Sequence, residues 1–162
     1  MQRDPALIPL SHQHHNALAL CLRIERSFSP QHQQRWPAGD PGKWQAEIER
    51  LFRDEIQYHF QAEEQVLFPA ARRIPALASL VDELSQEHLR LREFAARAAA
   101  RDLTQPELLE LSGLLSTHVR KEERQLFEAM QNLLSHEILR RLGKELDAWF
   151  RSSGMPGAAC GI

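Results

Sequence analysis

Two ten-residue stretches of the chain are near copies of each other: HFQAEEQVLF at residues 59–68 and HVRKEERQLF at residues 118–127. Each keeps a histidine, a glutamate pair that begins four residues later and a closing Leu-Phe, while the other positions drift. Steps of three or four residues through the second copy join Leu111, Leu114 and Leu115 to His118, Glu122, Leu126 and Ala129. The same walk through the first joins Ile48 and Leu51 to Glu55, His59, Glu63, Val66 and Ala70. This period is helical, without strand-like alternation. On each helix an imidazole and a carboxylate therefore occupy an apolar stripe where leucines are expected. Residues four apart lie about 6 Å apart on one helix face, so each pair can aim a nitrogen and an oxygen at one point. Buried carboxylates are costly unless paired or bound to a cation, and no Lys or Arg is obvious on either stripe.

The rest of the chain also reads as helix. LSHQHHNALALCLRIERSF opens a first helix with Ser11 as N-cap after Pro9, running to about residue 34. RWPAGDPGKW, with two prolines and two glycines, predicts a loop. A second helix is expected over about 43–73 and a third over about 76–101, the latter with Leu77, Leu80, Val81, Leu84, Leu91 and the alanines of FAARAAA as its stripe. TQPE then supplies Thr104 as N-cap, Pro106 in the first turn and Glu107 in the capping-box position of a fourth helix. Ser135 starts a shorter amphipathic segment expected to pack Ile138, Leu142, Leu146, Trp149 and Phe150. The fold class is all-α: an antiparallel up-down-up-down four-helix bundle with a short extra C-terminal helix. It is expected to fill residues 1–151, and residues 152–162 have the composition of a disordered tail.

A length of 162 residues suits one core rather than two. The net charge of −2 and the absence of long Lys/Arg runs argue against nucleic acid or an anionic membrane as partner. MQRDPALIPL lacks the apolar region of a secretory signal, and no apolar stretch reaches the length of a membrane span, so a cytoplasmic protein is expected. Cys21 and Cys160 form no CxxC pair; Cys21 reads as a small core residue.

The remaining two helices each offer a histidine at a matching depth. His88 follows Leu84 by four residues and precedes Leu91 by three. On the first helix two alignments compete. His15 precedes Leu18 by three and Leu22 by seven, whereas His14 follows Leu10 by four. The first alignment is preferred, giving His15 (or His14). The set His15 (or His14), His59, Glu63, His88, His118 and Glu122 suffices for two first-row metal ions, and imidazole with carboxylate suits iron while also accepting zinc or manganese. The Glu-x-x-His repeats of ferritin-like bundles are absent. Glu55 and Glu87 are candidates for an outer role as proton relays or edge residues, and the helical period turns Glu64 and Glu123 about 100° from the centre, towards solvent.

HHNAL, HFQAEEQVLFP, QEHLRL and HVRKEERQLF together resemble the hemerythrin-like, or HHE cation-binding, domain family over about residues 10–134, in particular its non-classical bacterial branch. The resemblance implies the same six ligands, with Glu63 and Glu122 bridging two irons. It implies a non-haem di-iron protein that binds or processes oxygen, nitric oxide or peroxide, or supplies iron under oxidative or nitrosative stress; a metal-dependent sensor or interaction module is the alternative. Oxygen-carrying hemerythrins have a further histidine where this chain has Leu84 and a longer-spaced aspartate where it has Glu122 or Glu123. A more open site than that of a simple oxygen carrier is expected.

Overall fold

The structure, a computed structural model, describes residues 2–31 and 39–155. It is all-helical, with no strand among the described residues. The first helix, α1, spans Ile8–Phe28. It starts earlier than Ser11, because Pro9 falls in the first turn, where its missing N–H costs nothing. It ends before Pro30: Ser29 is already extended, as a residue preceding proline prefers. The expected extension towards residue 34 stops there, and residues 32–38, which include part of the expected loop, lie outside the described residues. Helix α2 covers 41–72, opened by Asp40, whose carboxylate accepts from the Gly42 N–H at 2.9 Å. A short 3-10 turn, Pro75–Leu77, leads into α3, Ala78–Ala99. Helix α4 covers 105–133, and Glu107 accepts from the Thr104 backbone N–H at 2.8 Å as the sequence predicts.

Helix α5, His136–Ser152, is capped by Ser135, which accepts from the Ile138 N–H at 3.3 Å. It buries Leu139, Leu142 and Leu146, while Ile138, expected inside, is exposed. Gly143 sits so close to the N-terminal segment that an added Cβ would meet the Ala6 Cα at 3.0 Å, and the Trp149 indole donates to Gln65 at 2.8 Å. Helix α5 thus lies across α2 between residues 57 and 67. Residues 156–162, most of the expected tail, are outside the described residues, and Ser152 itself is helical.

Two helices depart from α geometry. Phe52–Ile56 and Glu63–Leu67 in α2, and Glu122–Leu126 in α4, are π turns, which add a residue to a helical turn and recur at functional sites. Two of the three start at the glutamate that follows a motif histidine by four residues.

The core has two apolar clusters. One gathers Ala17, Cys21, Ile24, Ile56, Phe60, Leu91 and Leu115; the other gathers Leu7, Leu10, Leu67, Leu84, Leu126, Phe127 and Met130. Each of the four long helices passes from one cluster to the other, and between them lies a layer of buried His14, His59, Glu63, His88, His118 and Glu122.

Candidate metal centre

The buried stripe of α1 runs through Leu7, Leu10, His14, Ala17, Cys21, Ile24 and Phe28, alternating steps of three and four. His14 is therefore inside, and His15 is exposed with Nδ1 3.1 Å from the Ser11 carbonyl oxygen. The preference for His15 is thus corrected: the structure brings His14 to the centre. The misleading alignment followed Leu18, which is only partly buried, and Leu22, which is 45% exposed. His59, Glu63, His88, His118 and Glu122 all reach the same place.

The atoms form two quartets. In one, His14 Nε2 stands 3.0 Å from His59 Nε2 and 3.1 Å from Glu122 Oε2, and His59 Nε2 stands 3.3 Å from Glu63 Oε1. In the other, His88 Nε2 is 3.3 Å from Glu63 Oε2 and 3.9 Å from Glu122 Oε1, and His118 Nε2 is 3.2 Å from Glu122 Oε1. Glu63 and Glu122 therefore contribute one oxygen to each quartet. All four of their oxygens, with Nε2 of His88 and His118, are buried without a hydrogen-bond partner among the described residues. Leaving ionised oxygens in this state costs several kcal/mol per group. Two ligand atoms about 2.1 Å from one small cation, at right angles, lie about 3 Å apart. Most of the distances given above, 3.0–3.3 Å, have that spacing, all the atoms of a quartet lie within 4.8 Å of one another, and the donor set suits a first-row cation.

A nitrogen that ligates must be unprotonated, so the other ring nitrogen carries the proton and needs an acceptor. Every histidine of the layer has one. Nδ1 of His14 faces Glu123 at 2.7 Å, that of His59 faces Gln13 at 2.7 Å, that of His88 faces Glu64 at 2.8 Å, and that of His118 faces Glu87 at 2.9 Å. Glu64 and Glu123, expected to face solvent, thus hold histidines. A π turn has more residues per turn, so the residue after its first glutamate swings less far from the centre than the α period requires. Glu87 takes the outer role considered for it. Glu55 does not join the layer: it accepts from Asn16 at 2.8 Å on the exposed side of α1 and α2.

The duplication in the sequence now has a physical reading. In each copy the histidine and first glutamate face the centre, and the second glutamate holds a histidine of another helix. The closing phenylalanine stacks on that same ring: Phe68 on His88, with centroids 5.3 Å apart, and Phe127 on His14 at 5.6 Å. Leu67 and Leu126 are fully buried beside them. Gln13 was missed as an outer partner, although it and Glu87 each immediately precede a histidine of the buried layer, which is a signal the sequence carries.

The local charges are mutually balanced. Burial opposes the imidazolium of His14, but Glu122 and Glu123 outweigh it and raise the group to about 9. Burial likewise opposes charge on His118, and Glu122 with Glu87 raises it to about 10. His88 is raised by Glu63 and Glu64 against the same penalty. Burial disfavours charged Glu63 and Glu122, yet the facing histidines hold both below the usual carboxylate range. Glu64 and Glu123, against a burial penalty, are held at about 2 by His88 with Arg92 and by His14 with Ser11 and Arg3.

The fold and this layer define a class: helical proteins with a histidine-carboxylate cation site buried in the core. The chain belongs to the hemerythrin HHE cation binding domain family, whose model matches residues 9–130. A DNA nickase of Nostoc sp. (strain PCC 7120 / SAG 25.82 / UTEX 2576) is 30% identical over 114 residues, 68% of this chain and 32% of the relative. The chain thus spans about a third of that relative's length. No solved structure matches it significantly. No helix among the described residues is long and apolar enough to cross a membrane.

Proposed function

We propose that the protein is a non-haem di-iron protein that binds or processes a small diatomic (oxygen, nitric oxide or peroxide) or releases iron under the stress these cause, in the cytoplasm. The observation that carries this reading is the pair of quartets sharing Glu63 and Glu122, each with two imidazoles and two carboxylate oxygens. His14, His59, Glu63 and Glu122 would hold one ion; His88, His118, Glu63 and Glu122 would hold the other. The antiparallel up-down-up-down order belongs to the proposal. It is supported by the alternation in which α1 and α3 meet the cluster of Leu10 and Leu84 first, while α2 and α4 meet that of Ile56 and Leu115 first.

A bound iron pair supplies one-electron redox chemistry and exchangeable positions for a small ligand. The chain's own residues do the rest. Glu123, Gln13, Glu64 and Glu87 fix the ring tautomers, so that Nε2 of each histidine is free to ligate. Leu84, fully buried one turn before His88, contributes hydrocarbon and no donor atom. Only small uncharged ligands suit an interior so enclosed.

The test is anaerobic reconstitution with ferrous iron, metal analysis and optical spectra, then separate exposure to oxygen and nitric oxide, with supercoiled plasmid as a further arm. Two irons per chain and a spectral response to a gas are expected. Failure to take up iron, or plasmid nicking with no response to either gas, overturns the reading.

A further inference from the structure

The centre has an internal two-fold correspondence. His14 corresponds to His88, His59 to His118, Glu63 to Glu122, Glu64 to Glu123 and Phe68 to Phe127, and Leu10 corresponds to Leu84. On one side His14, Glu123 and Arg3 form a chain of contacts; on the other His88, Glu64 and Arg92 form the same chain. Among the acceptors of the four ring N–H groups, three are carboxylates and one is not. His118 donates to the carboxylate of Glu87, whose other oxygen meets Lys121, whereas His59 donates to the neutral amide of Gln13, whose nitrogen, among the described residues, meets the Met155 thioether at 3.5 Å.

We infer that Gln13 is a positioning residue that makes the two metal positions unequal, so that the ion held by His14 and His59 binds more weakly and leaves first. The inference rests on the two-ion reading above. An imidazole N–H that donates to a carboxylate forms a stronger hydrogen bond than one that donates to an amide, roughly twofold. The carboxylate thereby makes the opposite ring nitrogen a better donor to a cation. Lys121 reduces this effect at Glu87 without abolishing it, because it binds the oxygen that does not face His118. The two remaining histidines both donate to carboxylates; the unlike contacts of those carboxylates, Ser11 and Arg3 at Glu123 against Arg92 at Glu64, are a smaller difference than amide against carboxylate. Glu63 and Glu122 each serve both positions. The largest difference left is Gln13 against Glu87, and exchange of an outer partner of this kind changes metal affinity about 10- to 100-fold.

The experiment is removal of zinc, a redox-inert probe, from the fully loaded protein by a chromogenic chelator, followed as ions released per chain in wild type, Gln13→Glu and Glu87→Gln. The wild type should release its ions in two steps separated by at least about tenfold in chelator concentration. Gln13→Glu should merge them by tightening the weaker position, a gain that a merely structural role does not give. Glu87→Gln should merge them by loosening the tighter one. Two ions released together from the wild type, or a separation unchanged in Gln13→Glu, overturns the inference and leaves the two-ion reading standing. Fewer than two ions bound at saturation overturns that reading and the inference with it.

Discussion

Glu63→Ala is the most informative single change, because Glu63 supplies an oxygen to both quartets and neither oxygen has another partner. Its loss reduces each quartet from four ligand atoms to three. The structural cost of the cavity falls on the metal-free and metal-loaded protein alike, so the difference between the two isolates the metal. At free iron about 1,000 times the dissociation constant, each of two ions bound to the native state stabilises it by about 4 kcal/mol, about 8 kcal/mol for the pair. For a chain of 162 residues, each kcal/mol moves Tm by about 2–4 °C. Chelation should therefore lower the wild-type Tm by about 16–32 °C and that of Glu63→Ala by only about 0–4 °C. The assay is anaerobic calorimetry with and without chelator, beside metal analysis. A variant that retains two irons and the full chelator-dependent shift would refute the assignment of Glu63 as a shared ligand.

Three further outcomes follow from the same geometry. His14 and His118, raised to about 9 and about 10, carry protons at neutral pH that a cation must displace, so zinc affinity should rise with pH up to about 10 and loading in weak buffer should release protons; affinity that falls or stays level from pH 6 to 8 would contradict this. Leu84→His should add a ligand beside His88 and slow oxidation of the reduced iron protein in stopped-flow at equal iron content; equal rates and unchanged spectra would show that Leu84 does not face the metal pair. Thr104→Ala removes the hydroxyl's half of the α4 capping box while Glu107 keeps the backbone N–H of residue 104, and should cost about 1 kcal/mol, measured as a fall of about 2–4 °C in Tm without change in metal content.

Much of this was legible in the chain because helical periodicity and metal chemistry make the same demand. His59, Glu63, His88, His118 and Glu122 stand where the apolar stripe should be, and each is buried in the layer. His14 was harder, because two leucines that look like core, Leu18 and Leu22, lie off the stripe and shift the phase by one residue. The roles of Glu64 and Glu123 depend on π turns, which do not follow from a fixed period of 3.6 residues. Helix ends differed where proline decided: Pro9 admitted an earlier start to α1 and Pro30 forbade its extension.

The distribution of the quartets over the helices fixes an order of assembly. One needs α1, α2 and α4; the other needs α2, α3 and α4. No two consecutive helices contain either, and the most local unit, a histidine and a glutamate four residues apart, offers a cation two atoms. A zinc finger is folded by its metal, since a short segment holds every ligand. Here the ion cannot act as such a template. The two hydrocarbon clusters must first bring distant parts of the chain together, so the proposed ions would enter a scaffold that already exists, and metal supply would set the working state of this protein rather than its birth.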